Sequence, residues 1–136
     1  MTSKIKTTSV IGSRILLGLI FFVFGLNFFF HFLPTPPALD GPAGAFTGGL
    51  FQSGYFFPML KVTEVILGAF LLAGILVPIS LVILMPISVN ILLFHLFLAP
   101  NNAAIGIIIL VLHIYLAWNY RSYYKPLFQI KASPAL

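Results

Sequence analysis

The chain has 136 residues, of which 60% are hydrophobic and only 7% are charged, and its mean hydropathy is +1.12. A soluble domain carries about 25% charged residues, and a soluble fold of this size could not bury so much apolar surface. This composition excludes a water-soluble fold and predicts a membrane protein with one domain. The net charge of +5 comes mostly from basic residues near the two chain ends, which is typical of topology anchors and does not indicate a nucleic-acid partner.

Four membrane-spanning helices are predicted from long apolar runs, each close to the roughly 20 residues that cross a bilayer core. The predicted spans cover about residues 14–33, 57–76, 79–98 and 103–120. Pro34 and Pro78 limit the first two spans, and Pro86 should kink the third. The first run is too long for a signal peptide and lacks a cleavage pattern, so we expect it to be retained. The fold class is therefore an all-α membrane protein with a four-transmembrane-helix bundle.

The first loop, residues 34–55, is long for so small a protein and contains apolar residues between glycines. We expect it to be interfacial or re-entrant, with a short helix. Residues 42–55 are predicted to cover the outer mouth of the bundle as a lid that buries Phe46, Leu50 or Phe51 above Glu64. The alternative is an amphipathic stretch that rests on lipid headgroups beside the bundle.

Loop charges predict the orientation. Basic residues precede the first span or follow the fourth: Lys4, Lys6, Arg14, Arg121, Lys125 and Lys131. The long first loop carries Asp40 and no basic residue. The positive-inside rule therefore predicts that both termini are cytoplasmic and that Asp40 lies outside.

Polar residues at membrane depth are the candidate ligand-binding residues, because such groups are costly in lipid. They are Asn27, His31, Lys61, Glu64, Asn90, His95 and His113. A rise of about 1.5 Å per residue places most of them in the outer half of the bundle and His113 near the midplane. We expect Glu64 to face the bundle interior, within hydrogen-bonding reach of a side chain from another helix, directly or through one water.

Each candidate also has a purely structural interpretation. Glu64 can simply pair with Lys61, which is near enough to the surface to snorkel. The two asparagines can form interhelical hydrogen bonds, the two outer histidines can be ordinary interfacial residues, and His113 can bond a backbone carbonyl. Asn90 and His95 are about 140° apart on a helix, so only one of them need face a central site.

Cofactor chemistry receives little support from the sequence. Without cysteine, the chain cannot form disulfides or hold a Cys-ligated iron–sulfur cluster. His31 and His95 match in depth but lie at the membrane edge, where a bis-His haem would be poorly buried. Together with Glu64 they have ligand types suited to zinc, yet no spacing motif accompanies them. We expect no haem, iron–sulfur cluster or metal site, and no catalytic residue is predicted.

The chain resembles the DoxX family of small four-helix bacterial membrane proteins over nearly its whole length. The resemblance is carried by the runs Arg14-Ile15-Leu16-Leu17-Gly18, Phe24-Gly25-Leu26-Asn27, Ser53-Gly54-Tyr55-Phe56-Phe57-Pro58 and Lys61-Val62-Thr63-Glu64, by Gly68 and Gly74, and by Pro86, Asn90 and Phe94-His95. It implies a protein of the bacterial inner membrane. Some members of the family are subunits of quinone-linked sulfur oxidoreductases, and others accompany oxidative-stress proteins at the membrane.

Three functions stay open at this point. The first is a redox-associated bundle that binds a quinone-like or lipid-like molecule in its outer half. Lys61 and Glu64 would then bind the head group or exchange protons with it, and Asn27, Asn90 and His95 would orient it. The second is a non-catalytic anchor or scaffold for an oxidoreductase partner protein, and the chain is not expected to be an enzyme by itself. A small transporter is disfavoured, because no inverted repeat or pair of broken helices is visible.

Overall fold

The computed structural model describes residues 2–135, and over this range the chain forms helices and connecting turns without strands. The α-helices are α1 (Thr2–Phe30), α2 (Gly41–Gln52), α3 (Phe56–Ala73), α4 (Val77–Phe97) and α5 (Ala103–Asn119). A short 3-10 turn, Pro100–Asn102, precedes α5, and two more follow it, Arg121–Tyr123 and Lys125–Phe128. Within the described range, α1, α3, α4 and α5 with its preceding turn are long and apolar enough to cross a membrane. The predicted four-helix membrane bundle is confirmed.

The first helix differs from its predicted limits at both ends. It begins at Thr2 rather than near residue 14, so the basic N-terminal segment continues the span as helix; Met1 lies outside the described residues. It ends at Phe30 rather than at residue 33, because His31 takes a left-handed backbone conformation with φ of 51°. Asn27 caps this end, since its side-chain oxygen accepts a hydrogen bond of 2.7 Å from the backbone N–H of Leu33.

The turn between α3 and α4 is set by Gly74. This residue has φ of 73°, a conformation that glycine adopts without strain, and its N–H donates to the carbonyl of Leu71. The N–H of Ile75 donates to the carbonyl of Phe70, which completes a Schellman-type cap. Consequently α3 ends at Ala73, three residues before the predicted boundary, and α4 begins at Val77 rather than at residue 79.

The first loop contains α2, which lies where the sequence predicts a short helix between glycines. It begins after Asp40, with Pro42 in its first turn, and Gly54, at φ of 75°, leads the chain into α3. The ring of Phe46 packs against Phe94 at the end of α4, with 6.0 Å between ring centroids. This contact ties α2 to the bundle.

Glycines bring α1 and α3 into backbone contact. A Cβ atom placed on Gly68 would lie 2.7 Å from the backbone nitrogen of Phe22 and 3.0 Å from the carbonyl oxygen of Gly18. A Cβ on Gly25 would lie 2.8 Å from a methyl group of Val65. Close helix packing through small residues is the usual solution in lipid, where no hydrophobic effect drives helices together. Gly106 performs the same role between α5 and α4, since its Cβ would lie 2.9 Å from the Cα of Leu92.

The bundle therefore has two tightly packed pairs, α1 with α3 and α4 with α5, while α3 and α4 contact each other less closely. Its two ends differ. We call the end that carries α2 the α2 end, and the end that carries the α3–α4 turn and both chain termini the turn end. The buried core lies mainly towards the turn end and in the middle, and consists of Leu17, Phe21, Leu67, Leu71, Val77, Leu81, Leu84, Ile109 and Leu116.

Candidate ligand-binding site

A partly buried ion pair lies on α3 near the α2 end. Lys61 Nζ donates to Glu64 Oε2 at 2.8 Å, one helical turn away on the same face. The Glu64 side chain is only 3% exposed, whereas Lys61 is 21% exposed. Glu64 thus faces the bundle interior, as predicted. The direct form of the predicted contact, a hydrogen bond from Glu64 to a side chain of another helix, is absent, because Glu64 bonds only to Lys61 among the described residues. The form through one water stays a prediction.

A cavity of about 360 Å³ opens beside this pair, between α2, α3 and α4. Its walls are mostly apolar and include four aromatic rings, those of Phe46, Phe56, Phe57 and Phe94. The cavity exists because α3 and α4 pack loosely at this end, while α1 remains close to α3. We call it the α2-end cavity.

The polar groups of the α2-end cavity come from three helices. Lys61 and Glu64 contribute from α3, Asn90 and His95 from α4, and Thr47 from α2. Asn90 and His95 line the same cavity despite their different helical directions, so both of them reach the site. The polar side chains that other helices contribute therefore share the α2-end cavity with Glu64 but do not contact it directly.

The donor and acceptor roles of His95 follow from its backbone contact. Its Nδ1 lies 2.7 Å from the carbonyl oxygen of Ile91, and a carbonyl can only accept, so Nδ1 carries the hydrogen. In the neutral ring, Nε2 is then left as an acceptor. His95 thereby offers an acceptor to the cavity, and Lys61 offers donors.

A second cavity, of about 220 Å³, lies on the other side of the ion pair, among α1, α3, α4 and α5. Lys61, Glu64, Ile91 and His95 line both cavities. The remaining walls of the second cavity are apolar, with Phe24 of α1 among them. The ion pair therefore stands between a lateral cavity and a central one.

The α2 helix covers the α2-end cavity on one side. Phe46 and Leu50 line the cavity that holds Glu64, but Phe46 is 42% exposed and Leu50 is only partly buried, so the burial that the lid prediction expected is incomplete. Phe51 does not; it is 67% exposed and packs against Phe57 with 6.3 Å between ring centroids. The cover is therefore formed by one face of α2.

Two predicted site residues lie away from the cavities. Asn27 is occupied as the cap of α1, where its side chain bonds the Leu33 amide. His31 follows the last residue of α1, is exposed and lines neither cavity. These positions do not support a role for Asn27 in orienting a ligand or for His31 in binding one. Both residues lie where α1 ends, and neither side chain lines either of the two cavities. Nor does His31 join His95 and Glu64 in a possible zinc site: within residues 2–135, no three acidic or histidine side chains form a metal-binding cluster.

His113 is fully buried and connects α5 to α4. Its Nε2 lies 2.8 Å from the carbonyl oxygen of Leu81, so Nε2 donates. Its Nδ1 lies 2.7 Å from the hydroxyl of Ser88, which must donate to it. Both ring nitrogens are thus satisfied within the protein, and His113 is a structural residue, outside both cavities.

Sequence reasoning missed several residues of this arrangement. Thr47 and Phe94 line the α2-end cavity, and Ser88 is the partner of His113. Ser88 carried a usable signal, because a serine in an apolar span needs a hydrogen-bond partner. Phe94 carried none of its own, because phenylalanine is common throughout the chain.

No family model, curated protein or solved structure matches this chain in the three comparisons that we made. The cavities and the side chains that line them are therefore the basis for a function.

Proposed function

We propose that the chain is a DoxX-like, redox-associated protein of the bacterial cytoplasmic membrane that binds a quinone-like or lipid-like molecule in the α2-end cavity. The observation that carries this proposal is a mostly apolar cavity of about 360 Å³ whose wall contains Lys61 paired with the buried Glu64. Small-molecule sites typically combine apolar walls with a few converging polar groups, in volumes of about 300–1,000 Å³.

The position of the cavity favours a ligand that enters from the membrane. Its wall includes Pro86 and Asn90, two residues of α4 that are exposed on the surface of the bundle. Both lie in the apolar span, so this surface faces lipid. The α2 helix covers the cavity on the side next to the end of the bundle. A molecule with an apolar body reaches such a site laterally, between α3 and α4.

The polar groups suit a head group with carbonyl or hydroxyl oxygens. The Lys61 ammonium has three donors, and only one is used by Glu64. A ligand carbonyl can accept from the remaining donors, and a ligand hydroxyl can donate to Glu64 or to Nε2 of His95. Asn90 can orient the ring or head group from the opposite wall. Lys61 and Glu64 are also groups that can exchange a proton with the bound head.

The proposed topology places both termini in the cytoplasm and the α2-end cavity in the outer half of the membrane. It rests on the basic residues of the turn end and on Asp40 at the opposite end. Reporter fusions test it: a fusion at Asp40 should score outside, and one at position 136, which lies beyond the described residues, should score inside. An inside score at Asp40 would reverse the orientation.

A non-catalytic anchor or scaffold for an oxidoreductase partner is the second candidate. One observation favours it, namely that Glu64 has its counterion on its own helix and needs no ligand for satisfaction. On this alternative the cavity is filled by membrane lipid without selectivity.

Mass spectrometry of molecules bound to the gently purified protein separates the two. Lys61→Met/Glu64→Leu removes the polar pair together and leaves no charge unpaired. Thr63→Val is the matched control, because Thr63 lies on α3 between them but bonds to the Met59 carbonyl and lines neither cavity. The wild type and the control should carry the same ligand at near-stoichiometric amounts, and the double variant should lose it.

A second variant tests the place of binding. Leu50→Trp adds bulk to the α2 wall of the cavity and should also reduce the bound ligand. Equal recovery of mixed phospholipids from all four proteins, with no common specific molecule, would reject the binding function and leave the scaffold.

A further inference from the structure

The turn end carries positive charge without an internal counterion. Six of the seven basic residues lie at this end, whereas the chain has only two acidic side chains, Asp40 and Glu64, which both lie towards the α2 end. Within residues 2–135, the ion pair between side chains is that of Lys61 and Glu64. Among the described residues, no acidic side chain pairs with the cations of the turn end, so an anion supplied from outside can do so.

Two of these cations, Arg121 and Lys125, lie on the C-terminal tail and line the same groove. The tail leaves α5 and folds into 3-10 turns, in which the N–H of Tyr124 donates to the carbonyl of Arg121 at 3.1 Å. Arg121 donates to the carbonyl of Trp118 at 2.8 Å, and its guanidinium lies over the Trp118 ring at 4.8 Å. Lys125 is four residues further on. These contacts position Arg121 before any ligand binds.

An apolar groove of about 410 Å³ lies directly beside these cations. It runs between α4, α5 and the tail; Met85, Ile114, Trp118 and Phe128 form much of its wall, with Arg121 and Lys125 at its rim. A neighbouring groove of about 390 Å³ shares part of this wall and continues along α4 past Leu81 and Val82. The two grooves together have the form required by a molecule with one anionic head and two apolar chains.

Tyr124 supplies a further polar group between the grooves. Its side chain lines both of them, and its hydroxyl is buried with no hydrogen-bond partner among residues 2–135. Burial, reinforced by the neighbouring Tyr120, raises the pKa of the Tyr124 phenol above its ordinary value. The hydroxyl is thus protonated at neutral pH and can donate. A buried donor without an acceptor is costly, which favours an acceptor supplied by a ligand.

We propose that the two grooves, with Arg121, Lys125 and Tyr124, form a binding site for one anionic phospholipid. The phosphate accepts hydrogen bonds from the three side chains, and the acyl chains occupy the grooves. Basic pockets at the membrane surface bind anionic headgroups through the same combination of charge and apolar contact. The cations of this site lie at the turn end, and its second groove shares only Pro86 with the wall of the α2-end cavity. The proposal does not depend on the function of that cavity.

Native mass spectrometry of the delipidated full chain, titrated with phosphatidylglycerol or phosphatidylcholine, tests the proposal. Arg121→Gln/Lys125→Gln should weaken phosphatidylglycerol binding about 30-fold, because each charge near the surface contributes a factor of about five. Lys4→Gln/Lys6→Gln removes the same charge from exposed positions of α1 and is the matched control; its affinity should change less than about threefold. Tyr124→Phe keeps the ring, and should weaken binding about tenfold.

Three results would overturn the proposal. Equal losses in the two double variants would mean that net charge alone attracts the lipid. Equal affinity for phosphatidylcholine would mean that the anionic charge is not recognised. Displacement of the lipid by millimolar inorganic phosphate would mean that the site takes a free anion. Far-ultraviolet circular dichroism checks that each variant is folded, and Tyr124→Phe provides a test that leaves the charges intact.

Discussion

The two ends of this bundle are built from the same four helices, yet they differ in packing and polarity. Towards the turn end, leucines fill the interior, and the polar groups at mid-bundle, His113 and Ser88, satisfy each other. Towards the α2 end, α3 and α4 separate around a cavity whose wall holds an ion pair, a histidine and an asparagine. A polar group that completes a packed core stabilises the fold, whereas one that faces an open space is available to a ligand.

The largest expected effect is at His113. His113→Ala should lower the free energy of unfolding by about 2–4 kcal/mol, because it leaves a cavity and leaves the Ser88 hydroxyl without its acceptor. Reversible unfolding in mixed micelles measures this value. His95→Ala is the control at the α2 end, and should cost less than about 1 kcal/mol, since its partner is a carbonyl of its own helix. Similar costs at both positions would remove the distinction between the ends.

The ion pair is expected to rank next. Lys61→Met alone leaves Glu64 buried and unpaired, and should cost about 1–3 kcal/mol of unfolding free energy. Lys61→Met/Glu64→Leu should recover most of that loss, because an apolar pair replaces the ionic one. The same unfolding measurement on the two variants decides the point. If the double variant is less stable than the single one, the pair is a structural element like His113.

The contact between α1 and α3 at Gly68 tests whether the close packing of the turn end continues towards the α2 end. Gly68→Ala should cost about 1–2 kcal/mol, since its Cβ would lie 2.7 Å from the backbone of Phe22. Gly48→Ala on α2 is the matched control, because nothing lies within 4 Å of its Cβ, and the change should be neutral or stabilise by up to about 1 kcal/mol. Thermal unfolding of both variants measures the difference. A stable Gly68→Ala protein would mean that the helices can separate slightly there.

Asn90 should show the smallest effect on stability. It is exposed and makes no side-chain hydrogen bond among the described residues, so Asn90→Leu should change the unfolding free energy by no more than about 0.5 kcal/mol. Binding should respond more strongly: mass spectrometry should detect less ligand with this variant than with wild type. A clear loss of stability would assign Asn90 to the packing of the bundle.

The sequence predicts which residues lie at the site better than it predicts which atoms they contact. Depth in the membrane predicts Lys61, Glu64, Asn90 and His95 as candidates, and the structure places all four around the α2-end cavity. Helical spacing indicated that Asn90 and His95 need not share a site, but a wide cavity admits side chains from both directions. His113 was named for the same reason as the others, and only its neighbours Ser88 and Leu81 identify it as structural.

Composition and the lengths of the apolar runs determined that this chain is a four-helix membrane bundle, because a bilayer demands long, apolar, internally hydrogen-bonded segments. Prolines and glycines also indicated where helices end, within a few residues. The tertiary structure decided which helices pack closely and which leave space, since this depends on where glycines such as Gly68 and Gly106 meet a neighbouring backbone. Depth along a helix is local and can be counted from the sequence. The partner of a polar side chain lies on another helix, and only the packed bundle reveals it.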